Sequence, residues 1–361
     1  MREKTLAVVI ATIREDSINR WLEAWQPFLA DVPVYVIEDG TPSGAKMRLN
    51  IQNYSKISRW SWHGIEKKLG DKSWIIPRYS SAIKSFGFLR AYLDGHDYIW
   101  TLDDDCFPEP NSPLGHQYPY TDVIKHFLET DQASNAWYNT IEHEGLYPRG
   151  YPYGIRQDKQ PVMIWHGLWS GVPDLDGVTA LEHHKLRLNP ATGIDRIPTG
   201  QMFPMCGMNL AFKREIAPAM YFGLQGKAFN SGNGEGSVHQ CSKPSPLPFD
   251  RFDDIWAGLF AKRICDHLGY AVVSGAPSIV HTKESDPTQR VLKEAPGIAA
   301  HEIMWPKIAN SHYLHGGHTT VKSCYKAIAD RVDCASYDMA LPFPDYWKKL
   351  AQAMHLWTEL F

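Results

Sequence analysis

Ile99-Trp100-Thr101-Leu102-Asp103-Asp104-Asp105-Cys106-Phe107 is an apolar strand pattern that runs straight into three consecutive carboxylates. Adjacent like charges repel, so a triplet at the end of a buried strand calls for a counter-charge. A hard divalent cation such as Mg2+ or Mn2+ supplies one, because oxygen donors suit these ions and the ion in turn neutralises substrate phosphates. Asp103 and Asp105 form an Asp-x-Asp pair, the minimal signature of metal-dependent nucleotide-sugar enzymes. The plainer reading is an acidic surface turn. Working outward, Leu6-Ala7-Val8-Val9-Ile10 and Val34-Tyr35-Val36-Ile37 are two further buried strands, the second ending at Glu38-Asp39-Gly40. Between them a helix is expected from a Ser17 cap to about Leu29, with Trp21, Leu22, Trp25 and Phe28 on one face. Another is expected from Ser80 to Leu93. This alternation predicts an α/β fold with an open, mostly parallel twisted sheet flanked by helices. Such sheets bind ligands beyond the carboxyl ends of their strands, which places Asp39 and the triplet in one crevice.

The middle of the chain, from about Tyr118 to Gln201, reads as irregular, and Gly226 to Phe249 as a Gly-, Ser- and Pro-rich loop expected to order over bound nucleotide. Phe252 to Leu268 reads as a helix opening with Asp253-Asp254, and the tail from His318 is mainly helical. Without a repeat or a linker, residues 1–300 are expected to form one catalytic domain and 301–361 a helical C-terminal extension packed on it. The 361 residues are 43% hydrophobic and 21% charged, with a net charge of -3 and no long basic block, so nucleic-acid binding has no electrostatic support. The 13 Trp, 17 Tyr and 14 Phe suit sugar stacking and an aromatic core equally. Cys106, Cys206, Cys241, Cys265, Cys324 and Cys334 are scattered without a Cys-x-x-Cys pair, which reads as free thiols in a reducing, cytoplasmic setting. No run approaches the ~20 apolar residues that span a bilayer. No Gly-x-Gly-x-x-Gly follows the first strand, so neither flavin nor NAD is expected.

Several blocks occur in order: Ala11-Thr12-Ile13-Arg14, Glu38-Asp39-Gly40, Leu102-Asp103-Asp104-Asp105-Cys106-Phe107, Arg149-Gly150-Tyr151-Pro152-Tyr153, and His166-Gly167-Leu168-Trp169. Phe203-Pro204-Met205-Cys206-Gly207-Met208-Asn209 and Arg251-Phe252-Asp253-Asp254-Ile255-Trp256 follow. In these the chain resembles the reversibly glycosylated polypeptides, or UDP-arabinopyranose mutases. The resemblance implies a GT-A-like fold, a divalent metal, interconversion of pyranose and furanose forms of a UDP-sugar, and self-glycosylation at an arginine that matches Arg156. Two departures stand out: Gly154-Ile155-Arg156-Gln157-Asp158 replaces the plant Ser-Leu-Arg-Glu-Gly, and Gly226 to Phe249 is longer.

The resulting assignments are these. Asp103, Asp105 and His281 are candidate metal ligands, an imidazole favouring Mn2+ over Mg2+. Thr12, Arg14 and Asp39 are candidates for base and ribose. Lys84 and Asp103 are candidates for the diphosphate region, backed by Asp104, which in an extended strand would point the other way. His166 and Trp169 are candidate sugar contacts, and Asp253 and Asp254 candidate acid/base groups, with helix capping as their bland reading. Arg156 is the candidate covalent carrier or charge stabiliser. The expected partner is a nucleoside-diphosphate sugar, UDP- or GDP-linked, with a homo-oligomer left open. A glycosyltransferase acting on an external acceptor, and a non-catalytic sugar-nucleotide-binding subunit, are the rival readings.

Overall fold

Each apolar stretch around the triplet forms a strand of one nine-stranded sheet. In the computed structural model, residues 3–39, 47–111, 119–134, 137–141, 143, 145–228, 245–309 and 312–361 are described. The strands are β1 (Leu6–Thr12), β2 (Val34–Glu38), β3 (Ile57–Ser61), β4 (Tyr98–Asp103), β5 (Cys106–Pro108), β6 (Val162–Gly171), β7 (Ile194–Ile197), β8 (Asn209–Lys213) and β9 (Ala271–His281). Their order is β3-β2-β1-β4-β8-β6-β9, with β7 and β5 one after the other along the outer edge of β9. The first four strands are parallel, β8 runs against both its neighbours, and β6 and β9 are again parallel. The fold is thus the GT-A-like α/β arrangement expected, a mixed but mostly parallel sheet between helices.

The helices are α1 (Glu15–Leu29), α2 (Trp62–Leu69), α3 (Lys84–Leu93), α4 (Tyr120–Glu129), α5 (Gly177–His183), α6 (Asp253–Leu268), α7 (Pro287–Ala309), α8 (Val321–Ala335) and α9 (Pro344–Thr358). Helix α1 starts before Ser17, because Glu15 and Asp16 already complement the positive end of its dipole. Its apolar face buries Trp21, Leu22 and Trp25, and the Trp25 indole donates to the Cys106 carbonyl at 2.9 Å. Ser80 caps a short 3-10 turn, Ser81–Ile83, so the α-helix proper begins at Lys84. Gly87 lets α3 lie on the sheet: a Cβ there would sit 2.3 Å from Val9 Cγ1.

Two expectations about organisation are corrected. The supposedly irregular middle contains β6, ten residues long, because β8 and β9 flank it and satisfy its backbone on both sides. The boundary expected between residues 300 and 301 falls inside α7. One apolar core also runs from Val9 and Ile37 of the sheet to Tyr325 of α8 and Trp357 of α9. Trp357 is fully buried, stacks on Tyr221 at 5.1 Å and donates to the Pro218 carbonyl at 3.1 Å.

The loop expected to order over nucleotide, Gly226 to Phe249, lies outside the described residues over positions 229–244. At its base Lys227–Ala228 pairs with Ser245–Pro246, and Lys227 bridges to Arg78. Among the described residues, Cys106, Cys206, Cys265, Cys324 and Cys334 form no disulfide. None of the described helices is long and apolar enough to cross a membrane.

Candidate active site at the carboxyl ends of the strands

The register defines two edges. Thr12, Asp39, Asp103, Gly171 and His281 all lie at or just past strand carboxyl ends, and α3 and α6 open toward the same edge with Lys84 and Asp253. Lys84 is buried, and its ammonium donates to Asp103 Oδ1 and, at 3.0 Å, to the Gly207 carbonyl. Burial opposes the ammonium charge, but the Asp103 carboxylate outweighs it and leaves Lys84 above its ordinary pKa.

Strand β4 ends at Asp103, so Asp104 and Asp105 form a tight turn into β5 rather than an extended continuation. The turn sends the three carboxylates in different directions. Asp104 is buried and accepts from Thr12 Oγ1 at 2.7 Å and Arg14 Nη2 at 2.6 Å. Asp105 is held only loosely, by Arg14 Nη2 at 3.8 Å, Lys283 Nζ at 3.5 Å and the Cys106 thiol at 3.9 Å. Burial and the neighbouring Asp103 and Asp104 raise its pKa, against the pull of His281 and Lys283. Lys283, two residues past His281, was not singled out in the sequence.

His281 is buried, and its Nδ1 donates to the Val172 carbonyl at 2.8 Å. That fixes the tautomer and leaves Nε2 as the lone-pair nitrogen, the usual arrangement of a ligating histidine. Among the described residues, no three His, Cys, Asp or Glu side chains are grouped so as to hold a metal ion. The chemistry of the donors nonetheless suits Mn2+ or Mg2+: a carboxylate crowded by like charge and an imidazole with a free nitrogen.

Asp39 is buried beside the Trp62 indole, which donates to it at 2.5 Å. Burial pushes its pKa up to about 7, against the pull of Trp62 and Arg78. Trp62 is packed in turn by the Tyr79 ring and the Arg78 guanidinium.

Asp253 and Asp254 reach the same edge, Asp253 engaged through Oδ2 and Asp254 through both oxygens. Asp253 accepts from Ser81 Oγ and, at 3.4 Å, Ser80 Oγ. Asp254 accepts from the Gly207 N–H at 2.8 Å and the Ile255 N–H at 2.9 Å. Burial drives both above the usual carboxylate range. Gly207 therefore joins the two groups, its carbonyl on Lys84 and its N–H on Asp254. Next to it, the Cys206 thiol lies 3.6 Å from Asp174 Oδ2, a carboxylate not singled out in the sequence. Asp174 follows β6, a third of its side chain is exposed, and its Oδ1 faces Arg251 Nη2 at 3.8 Å and Arg290 Nη1 at 3.9 Å. Both arginines are anchored elsewhere: Arg251 on Glu294 at 3.1 Å, Arg290 on the Leu175 carbonyl at 2.8 Å.

Three sequence assignments are placed differently from what was expected. His166 lies on β6, not in a loop. It is buried, its Nδ1 meets Ser274 Oγ at 3.0 Å and its Nε2 accepts from the Cys206 N–H at 3.1 Å. Burial lowers its pKa to about 4, so the ring is neutral and fully engaged in fixing the Cys206–Gly207 backbone rather than in contacting a sugar. Trp169, also on β6, is half-buried and packs edge-on against His166, with its ring N–H unpartnered.

Arg156 lies at the other edge of the sheet. It precedes β6, beside Asp158, whose carbonyl accepts from the Ser134 N–H just past α4. The end of α4 is fixed there by Glu129, which meets Tyr98 at the start of β4 and Lys4 ahead of β1. The length of β4 alone, five residue steps of ~3.3 Å, puts roughly 17 Å between that edge and Asp103. The Arg156 guanidinium is sandwiched by Tyr153 at 3.7 Å and Tyr147 at 4.8 Å. The sheet register, not the local sequence, makes this separation.

The sheet and the acidic edge define a GT-A-like α/β protein with a candidate nucleotide-sugar site. The whole chain, residues 1–361, matches the model of the family described as reversibly glycosylated polypeptide. It is 35% identical to "Probable UDP-arabinopyranose mutase 1" of Pisum sativum, over 98% of this chain and 89% of the relative. It is also 35% identical to "UDP-arabinopyranose mutase 1" of Arabidopsis thaliana (98% and 91%) and 33% identical to "UDP-arabinopyranose mutase 1" of Oryza sativa subsp. japonica (98% and 89%). The chain belongs to the reversibly glycosylated polypeptide family.

Proposed function

We propose that the protein is a metal-dependent, flavin-independent mutase that interconverts the pyranose and furanose forms of a UDP-sugar, with UDP-L-arabinose as substrate. The observation that carries this reading is the edge that gathers Asp103 on buried Lys84, the loosely held Asp105 and His281 with its free Nε2, in a chain of this family. Free cysteines among the described residues suit a cytoplasmic setting, where thiols stay reduced.

Ring exchange needs no hydride. The bond from C1 to the diphosphate breaks with its electron pair on the phosphate, and O4 gives up a proton as it attacks C1. The bond from C1 to O5 then breaks as O5 takes up a proton, and the diphosphate returns. A Mn2+ held by Asp105 and His281 Nε2 would supply Lewis-acid neutralisation of the diphosphate. Lys84, fixed by Asp103 and the Gly207 carbonyl, adds a positive charge in a buried setting where it acts strongly. Thr12 and Arg14 hold the Asp104 turn that aims Asp105. Asp39, beside Trp62, is the acceptor for a base N–H or a ribose hydroxyl.

Self-glycosylation at Arg156 belongs to this reading only as a reaction between chains, since Arg156 and the crevice of its own chain lie at opposite edges. The test of the function is incubation with UDP-L-arabinopyranose and Mn2+ without acceptor, followed by anomeric-proton NMR. Furanose product supports the mutase. Product that forms only when an acceptor is added identifies a glycosyltransferase instead.

A further inference from the structure

Ring exchange moves one proton from O4 to O5, so it needs a group near the sugar that can accept that proton and return it. The two acidic residues that open α6 are poorly free to do so. Asp253 is buried and accepts two serine hydroxyls on Oδ2, and each Asp254 oxygen already accepts a backbone N–H. Asp103 is bound to Lys84 and Asp104 to Thr12 and Arg14. Glu294 is held by the Gly177 N–H and Arg251.

Asp174 is different. Its nearest polar partners are a thiol at 3.6 Å and two guanidinium groups at 3.8 and 3.9 Å, none within strong hydrogen-bond range. A third of the side chain is open to solvent. Its position is nevertheless built. Two residues earlier the Val172 carbonyl holds His281, and one residue later the Leu175 carbonyl holds Arg290. Gly177 packs so closely on α7 that a Cβ would fall 2.5 Å from the Val291 nitrogen. Arg251 keeps a left-handed backbone, φ 67°, costly for a side-chain-bearing residue, and it stands two residues before the helix of Asp253. A strained arginine and a buried one thus flank an accessible carboxylate that lies beside Cys206, the neighbour of the Gly207 that holds Lys84 and Asp254.

We propose that Asp174 is a catalytic residue of the ring exchange, taking the O4 proton as O4 bonds to C1 and returning it to O5 as the C1–O5 bond breaks. This role rests on the mutase reading. No external oxidant or co-reactant is required, and the carboxylate ends each cycle as it began.

The test separates loss of UDP from ring exchange. UDP-arabinopyranose carrying 18O in the bridge to C1 scrambles the label into the β-phosphate whenever the C1–O bond breaks and re-forms. In Asp174→Asn, furanose formation falls at least about 100-fold, while label scrambling stays within about threefold of wild type. Asp174→Glu, which keeps the charge between the arginines, is the second variant and is read by the same ratio: furanose formation falls more than scrambling does. Furanose formation near the wild-type rate in Asp174→Asn would overturn the role. So would a parallel fall of scrambling and furanose formation in either variant, the signature of a merely structural aspartate. A wild type that scrambles the label yet makes no furanose would refute the mutase reading itself, and this role with it.

Discussion

Asp39→Asn tests the nucleotide end of the crevice. Burial lifts the Asp39 carboxyl from 3.8 to about 7 in the folded protein. Below about pH 4 both folded and unfolded chains hold the proton; between there and about pH 7 only the folded chain does; above that neither does. Stability contributed by the protonated group is therefore complete below 3.8 and lost as pH rises through 7. At about 1.4 kcal/mol per unit, the full span is about 4 kcal/mol, of which about 3 kcal/mol is lost between about pH 5 and about pH 8. Asparagine still accepts from the Trp62 indole and does not titrate, so the variant lacks this slope. The assay is urea unfolding of both proteins across that range, reading the difference in free energy. The wild type should lose about 3 kcal/mol relative to Asp39→Asn on going to the higher pH. In parallel, wild-type UDP affinity should fall on acidification through 7, because a protonated Asp39 cannot accept as well from a base N–H. Curves that run parallel within about 0.5 kcal/mol would refute the burial argument.

Four further outcomes follow, three from the same edge and one from Arg156 at the opposite edge. Lys84→Met keeps the buried volume but removes the charge on Asp103 and Gly207, and should weaken UDP binding by calorimetry about 10- to 100-fold; affinity within about twofold of wild type would remove Lys84 from the diphosphate site. Asp105→Ala should abolish Mn2+ binding in the presence of UDP, read by electron paramagnetic resonance, with the thermal midpoint shifted by only a few degrees because the residue is loosely held. Chelator should abolish wild-type furanose formation and Mn2+ restore it, whereas full activity in metal-free protein would contradict the site. Mixing Arg156→Ala, which has an intact crevice, with Asp105→Ala, which has an intact arginine, should place a glycosyl adduct on the Asp105→Ala chain by peptide mass spectrometry. Labelling by wild type at a fractional rate independent of protein concentration would argue against transfer between chains.

Much of the carboxyl edge was legible in the sequence, because its parts are local. Apolar runs such as Leu6 to Ile10 have strand periodicity and cannot stay in water, and parallel pairing then brings the residues after each run to a common edge. Thr12, Asp39 and the Asp103–Asp105 triplet follow their strands directly, so their convergence needed no knowledge of long-range contacts. Even there the backbone had the last word: the triplet turns after Asp103, and that turn alone separates a lysine-bound, a buried and a loosely held carboxylate. The rest depended on partners far along the chain. His166 looks like a sugar contact until Cys206 and Ser274 close on both ring nitrogens, and Asp254 looks like a free acid until the Gly207 N–H occupies it. Arg156 sits among aromatic residues in the sequence as it does in the structure, but only the register of β6 with β8 and β4 puts it at the far edge. Asp174 has no motif of its own. Its open carboxylate becomes distinctive only when α7 and the residue before α6 deliver Arg290 and Arg251 to its side, and no periodicity in one dimension encodes that meeting.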